Sequence, residues 1–114
     1  MELLTENSYK FAVRMIKLSQ YLQEKKNEYI LSQQILRSAT IVGAHINRCK
    51  YTSDAAERFA ELKSAITESY CVEYWLNLLV STDYLNKAQF DIVSRECSDL
   101  RAYISDNINK FKEK

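Results

Sequence analysis

Proline is absent from this chain of 114 residues, and glycine occurs once, at Gly43. An average chain of the same length carries roughly five to six prolines and about eight glycines. Turns between β-strands need glycine, proline or Asn-Gly pairs at positions with special backbone dihedral angles, and this sequence has almost none of them. The sequence therefore predicts an all-α fold.

Composition and charge bound the class of protein. Hydrophobic residues make up 46% of the chain and charged residues 27%, which predicts one globular domain spanning residues 1–114. The 16 Lys and Arg residues nearly balance the 15 Asp and Glu residues, so the formal net charge is +1. That balance predicts no strong attraction to nucleic acid or to an anionic membrane.

Cysteine usage and hydropathy indicate the compartment. Cys49, Cys71 and Cys97 are odd in number and form no CxxC pair, so they predict neither a disulfide framework nor a zinc site. No apolar run approaches the ~18 residues needed to span a bilayer, and the first residues lack a secretory signal pattern. We therefore expect a cytoplasmic protein that makes no membrane contact.

Apolar residues at helical spacing predict the first two helices. The first begins near Asn7 or Ser8, either of which can cap it, and ends near Lys25. Asn27 is the predicted cap of a second helix over residues 28–50. The apolar stripes are Phe11, Met15, Leu18 and Leu22 in the first helix, and Leu31, Ile35, Ala39, Val42, Ile46 and Cys49 in the second.

Two further helices follow. Asp54 and Glu57 form a predicted capping box for a third helix that ends near Ser81, and Asn86 and Gln89 form one for the fourth. Their stripes are Phe59, Leu62, Ile66, Ser69, Leu76 and Leu79, then Phe90, Val93, Cys97, Leu100, Ile104, Ile108 and Phe111. Four helices joined by short connections pack as antiparallel neighbours, which predicts an up-down-up-down four-helix bundle.

Gly43 falls inside the second predicted helix rather than at its end. A glycine inside a helix costs about 1 kcal/mol relative to alanine. The usual compensation is the close approach of a neighbouring helix, and Ser38, Ala39 and Ala44 add further small side chains. The sequence therefore predicts that another helix packs closely at Gly43.

No catalytic or metal-binding motif is present in the sequence. The di-iron sites of helical bundles need Glu-x-x-His pairs, but Val42 stands three residues before His45. Cys49 lies one helical turn after His45, yet it ends an apolar stripe and is expected to be a small core side chain. We expect no enzymatic activity, cofactor, metal or small-molecule substrate.

Tyrosine and tryptophan are the favoured side chains at protein interfaces, because they bury a large area and still satisfy a polar group. Tyr70 and Tyr74 lie one turn apart, and Trp75 is adjacent. Together with Gly43 they predict a surface for self-assembly. A second interpretation is that the three aromatic residues complete the core of one subunit, and their spacing leaves both open.

A different function is also consistent with the sequence. Basic residues at helical positions can contact phosphate groups, and assembly into an oligomer multiplies a weak patch into useful avidity. On this hypothesis the protein is an RNA- or DNA-binding accessory factor. The candidate contacts are Arg14, Lys17, Arg37, Arg48 and Lys50.

Two segments resemble a known family. Residues 34–46, QILRSATIVGAHI, resemble the QLLRSGTSIGANI-type signature of bacterial 23S rRNA intervening-sequence proteins, and residues 74–76, YWL, resemble a second segment of that family. The similarity covers roughly residues 7–112. The family pattern usually has Asn at position 45, an acid at position 48 and often glycine at position 39, where this chain has His45, Arg48 and Ala39.

The resemblance implies an antiparallel four-helix bundle that assembles as a ring-like homopentamer and has no established enzymatic activity. A related branch of the family consists of accessory proteins to the reverse transcriptases of diversity-generating retroelements, which bind nucleic acid. Members of that branch are strongly basic, whereas this chain is nearly neutral.

Overall fold

Four α-helices account for most of residues 1–112, which are the residues described by the computed structural model; side-chain surroundings are described for residues 1–110. The helices are α1 (Glu2–Lys26), α2 (Leu31–Arg48), α3 (Ala55–Ser81) and α4 (Lys87–Lys112), and a 3-10 turn, Cys49–Tyr51, follows α2. Each helix packs against the next, and α4 closes the bundle against α1. The predicted all-α four-helix bundle is confirmed.

The helices run antiparallel. Arg14 of α1 pairs with Glu96 of α4, and seven residues further along α1 the hydroxyl of Tyr21 accepts a hydrogen bond from Gln89, seven residues earlier in α4. The bundle measures 47 × 22 × 19 Å, as expected for helices of this length. None of the helices within residues 1–112 is long and apolar enough to cross a membrane.

The core consists of the predicted stripes with a few additions. The predicted positions that are buried are Phe11, Met15, Leu22, Ile35, Ala39, Val42, Ile46, Cys49, Leu62, Ser69, Leu76, Leu79, Val93, Cys97, Leu100, Ile104 and Ile108. Those that are half-buried are Leu18, Leu31, Phe59, Ile66 and Phe90. The predicted position at Phe111 lies outside the described side chains. Burial also extends to Leu4, Ala65, Val72 and Leu85, which the stripes did not include.

The predicted start of α1 is wrong. The helix begins at Glu2, and Ser8 lies inside it with its hydroxyl bonded to the carbonyl oxygen of Thr5 at 2.9 Å. The cause is Leu4, which is fully buried and continues the apolar stripe by two turns toward the N-terminus. Burying a leucine stabilises by about 1.5–3 kcal/mol, more than the ~1 kcal/mol typical of a helix cap.

The connection between α1 and α2 also differs from the prediction. Asn27 does not cap α2; it ends α1 in the left-handed conformation, with φ of 55°. The residue that caps α2 is Glu28, whose buried carboxylate accepts hydrogen bonds from three backbone amides. These are the N–H groups of Ile30, Leu31 and Ser32, at 3.1, 2.9 and 2.6 Å. The helix therefore begins at Leu31 and ends at Arg48, within the predicted range of 28–50.

The caps of α3 and α4 were predicted more accurately. Asp54 caps α3 by accepting from the amide of Ala56 at 2.9 Å, but Glu57 does not return the bond and instead accepts from the hydroxyl of Thr52. The box at α4 is complete. The Asn86 side chain accepts from the amide of Gln89 at 2.8 Å, and the Gln89 side chain accepts from the amide of Asn86 at 2.9 Å.

Candidate functional site

Trp75 lies mainly between helices of its own subunit. The indole is half-buried, and its N–H donates to the hydroxyl oxygen of Ser38 at 3.3 Å, which links α3 to α2. Ser38 was predicted as part of a small-residue surface, and in the structure its hydroxyl accepts this hydrogen bond. Of the two interpretations for the aromatic residues, the intramolecular one therefore describes most of Trp75.

Tyr74 is different, because 59% of its surface is exposed. Its ring still has a neighbour: the centroids of Tyr74 and Trp75 are 5.2 Å apart, with an interplanar angle of 66°. This edge-to-face geometry is the one that aromatic pairs favour. The ring is thus held against the indole while most of it faces solvent.

Tyr70 lies one turn before Tyr74 on α3, and 56% of its surface is exposed. The guanidinium carbon of Arg101 in α4 lies 4.0 Å from the centre of its ring, which is a cation–π contact. Arg101 is itself fixed, because its Nη2 lies 2.5 Å from a carboxylate oxygen of Glu73. We call Tyr70, Tyr74 and Glu73 the tyrosine surface.

The surroundings of Gly43 contradict the prediction of close packing within the subunit. A Cβ built at Gly43 would meet no atom of a neighbouring element within 4 Å. The reason is the direction of the residue: α2 turns Val42 into the core, and the next position points about 100° away. Within the described chain no helix passes over Gly43, so its role at an interface between copies stays a prediction.

Gly43 instead lies in a groove between α1 and α2. The groove is lined by Thr5, Ser8, Tyr9, Ala12, Thr40, Gly43, Ala44, Asn47 and Lys50. A second depression shares Thr5, Tyr9 and Lys50 with it and continues to the start of α1. We call the two together the α1–α2 groove.

The most exposed aromatic side chain of the α1–α2 groove is Tyr9, with 72% of its surface accessible. Tyr9 is not among the predicted site residues, because it falls at the edge of the predicted first helix. One signal was available: position 9 falls outside the stripe that contains Phe11 and Met15, so it points away from the core.

The five candidate phosphate contacts are not brought into one patch. Arg14 forms a two-pronged ion pair with Glu96 of α4, at 3.1 and 2.8 Å, and lies beside Lys17. Arg48 lies 3.7 Å from a carboxylate oxygen of Glu61 in α3. Arg37 is exposed on α2, and Lys50 lines the α1–α2 groove. A role for these residues in binding nucleic acid stays an untested prediction.

His45 belongs to a polar cluster between α2 and α3. Its Nδ1 lies 2.8 Å from the same Glu61 oxygen that faces Arg48. The thiol of Cys49 lies 3.7 Å from the backbone oxygen of His45 and 4.0 Å from that of Arg58. Burial, followed by the negative charge of Glu61, raises the pKa of Cys49 above its ordinary value, so the thiol stays protonated near neutral pH. This arrangement does not activate a nucleophile.

Within the described residues, no group of three or more His, Cys, Asp or Glu side chains is placed to hold a metal ion. The surface of the described residues does carry exposed aromatic side chains and open grooves between helices. The fold and these surface features define the class of protein: an antiparallel helical bundle with aromatic side chains displayed on its outside.

The chain belongs to the 23S rRNA-intervening sequence protein family, whose sequence model matches residues 3–106. Among curated proteins no sequence matches it. The solved structures include a crystal structure at 1.70 Å of a protein of unknown function from the S23 ribosomal protein family of Bacteroides thetaiotaomicron VPI-5482. The two chains superpose with a TM-score of 0.89 at 30% identity, over 92% of this chain and 97% of the other. The predicted family is confirmed.

Proposed function

We propose that this protein is a non-enzymatic interaction module that assembles with copies of itself through the tyrosine surface of α3. The observation that carries the proposal is the state of Tyr70 and Tyr74. Each is more than half exposed, and each is held by a neighbour, Arg101 in one case and Trp75 in the other.

Held and exposed aromatic side chains suit binding for an energetic reason. Each immobilised side chain costs about 0.5–1.5 kcal/mol on association, and a ring that is already ordered avoids most of that cost. Tyrosine, tryptophan and arginine are also the residues enriched among interface hot spots. The tyrosine surface has two tyrosines, and an arginine supports one of them.

The polar groups of the protein favour binding over catalysis. His45 is engaged by Glu61, and burial is the largest cause of the raised pKa of both Cys49 and Cys97. Enzymatic nucleophiles need the opposite shift or a nearby free base. The family resemblance implies a ring of five copies, so the expected mass of the assembly is five times that of the chain.

The experiment is a mass measurement by light scattering and sedimentation at micromolar concentration. We expect the wild type to be an oligomer, and the double variant Tyr70→Ala, Tyr74→Ala to be a folded monomer by circular dichroism. The control is Tyr29→Ala, Tyr103→Ala, which removes two exposed tyrosines elsewhere and should leave the mass unchanged. A wild type that is monomeric at this concentration would contradict the proposal.

A further inference from the structure

We propose that Arg101 of α4 is a positioning residue for self-assembly, which holds the ring of Tyr70 in the orientation that a neighbouring copy binds. This inference rests on the proposed function, and it assigns to a residue of α4 the strength of a contact made by α3. Arg101 itself offers little surface to a neighbouring copy, because only 15% of its side chain is exposed. Its contribution to assembly therefore passes through Tyr70.

Two contacts fix the guanidinium of Arg101. Its carbon lies 4.0 Å from the centre of the Tyr70 ring, and its Nη2 lies 2.5 Å from a carboxylate oxygen of Glu73. A planar guanidinium can pair with a carboxylate and stack on an aromatic ring at the same time, which distinguishes arginine from lysine. Glu73 follows Tyr70 by three residues, so both partners of Arg101 lie on the same face of α3. The three side chains therefore restrain one another.

The surroundings of Arg101 are costly for a charged side chain. Its Nε is buried, and no atom of the described residues accepts a hydrogen bond from it. Its Nη2 also lies 4.0 Å from the sulfur of Cys97, a weak acceptor that is buried in the core. A buried donor without an acceptor destabilises a fold, and an apolar side chain of similar length would avoid that cost. Positioning Tyr70 accounts for the presence of a charged group at this site.

Ordering the Tyr70 ring before association strengthens the contact that it makes. Immobilising one free side chain on association lowers the affinity by about two- to tenfold. More than half of the surface of Tyr70 is exposed, and the guanidinium of Arg101 restrains its ring. Loss of the guanidinium should therefore weaken assembly by about this factor, although Arg101 itself is mostly buried.

The test is a double-mutant cycle on association. The four proteins are the wild type, Arg101→Met, Tyr70→Ala and the variant that carries both changes. Methionine keeps an unbranched stem but can make neither the cation–π contact nor the ion pair. Arg95→Met, at an exposed position of the same helix, is the matched control. Sedimentation over a series of concentrations measures association, and circular dichroism checks the fold. If Arg101→Met does not fold, the same cycle is run with Arg101→Lys, which keeps the charge and loses the planar group.

Arg101→Met should associate about two- to tenfold more weakly than the wild type, and Arg95→Met should associate like the wild type. In the Tyr70→Ala background the change at Arg101 should have no further effect on association, because the ring that it positions is absent. A residue that only stabilised the subunit would change association by the same factor in both backgrounds. The non-additivity of the two changes is therefore the result that identifies a positioning role.

The outcomes separate the two proposals. If Arg101→Met associates like the wild type, or weakens association equally with and without Tyr70, Arg101 is not a positioning residue, but the proposed function stands. If Tyr70→Ala associates like the wild type, Tyr70 lies outside the contact and this inference is wrong, while the variant Tyr70→Ala, Tyr74→Ala still decides the proposed function. A monomeric wild type contradicts both.

Discussion

Trp75 donates its indole N–H to the hydroxyl oxygen of Ser38, at 3.3 Å, across the contact between α3 and α2. The same indole supports the ring of Tyr74 on its outer side. One hydrogen bond therefore connects the interior of the bundle to an exposed aromatic side chain of the tyrosine surface.

Replacing Ser38 with alanine should lower the free energy of unfolding by about 0.5–1.5 kcal/mol, because the indole N–H loses its partner in a half-buried position. Urea unfolding followed by tryptophan fluorescence measures this. Ser98→Ala, at an exposed position of α4, is the control and should change stability by less than about 0.5 kcal/mol. Equal losses in the two variants would show that the bond to Trp75 is not the cause.

Glu28 lies in the connection between α1 and α2, yet it should contribute strongly to the free energy of unfolding. Its carboxylate satisfies three amides at the start of α2, so Glu28→Ala should lower the free energy of unfolding by about 1–2 kcal/mol. Glu28→Gln should lose less, since the amide retains one acceptor oxygen. Glu24→Gln, at an exposed position of α1, should be close to neutral. Chemical denaturation of the three variants checks the order, and no loss in Glu28→Ala would refute the capping role.

Gly43→Ala should stabilise the isolated subunit. The added Cβ meets no neighbouring element, so the helix gains about 0.5–1 kcal/mol from the higher helix propensity of alanine. The measurement is thermal unfolding in the background Tyr70→Ala, Tyr74→Ala, where assembly is expected not to contribute. The reverse change at the next position, Ala44→Gly, should destabilise by a similar amount. A loss of stability in Gly43→Ala would mean that the backbone there is crowded.

Raising the pH into the alkaline range should lower the free energy of unfolding, because the cysteine thiols lose their protons more readily in the unfolded chain. Burial is the largest cause of the raised pKa of Cys49, Cys71 and Cys97. In the unfolded chain a thiol has a pKa of about 8.5. The folded chain therefore holds these protons more tightly, so stability is complete below that value and falls as the pH rises through the raised values in the folded state.

Urea unfolding at pH 7.5 and pH 9.5 measures the loss. The comparison is with Cys97→Ala, which removes the thiol at the centre of the α3–α4 contact, where it donates toward the backbone oxygen of Ser69 at 3.5 Å. At pH 7.5 the variant should have a lower free energy of unfolding than the wild type. Between pH 7.5 and pH 9.5 its free energy of unfolding should fall by less than that of the wild type. Tyrosine ionisation affects both proteins equally, so an identical loss in the two would exclude Cys97 as a contributor.

Much of the fold was predictable because it depends on local spacing. A chain without proline and with one glycine has few places to break, and apolar residues repeated every three or four positions indicate which side of each helix is buried. The cap at Asn86 and Gln89 needs only two side chains three residues apart, so it too was predictable. The family followed from residues 34–46 and 74–76.

The errors have two physical origins: burial in the core outweighed a local cap at Ser8, and a competing local cap at Glu28 displaced the one expected at Asn27. Asn27 and Ser8 are both residue types that favour a cap. Leu4 is buried in the core, so α1 begins before Ser8. Glu28, rather than Asn27, accepts the hydrogen bonds of the first amides of α2. Spacing also placed Tyr70, Tyr74 and Trp75 close together without saying which of them a neighbour covers. That depended on Ser38 and Arg101, which lie 37 and 31 residues away from the aromatic residues they contact.

The amino-acid sequence by itself determined that the chain forms four amphipathic helices, and which face of each is apolar, because both follow from residues within a few turns of one another. Only the tertiary structure decided that Trp75 turns inward, that Tyr70 and Tyr74 stay outside, and that the space beside Gly43 is open. These outcomes depend on the rotation of each helix against its neighbours, which is set by how the whole core packs.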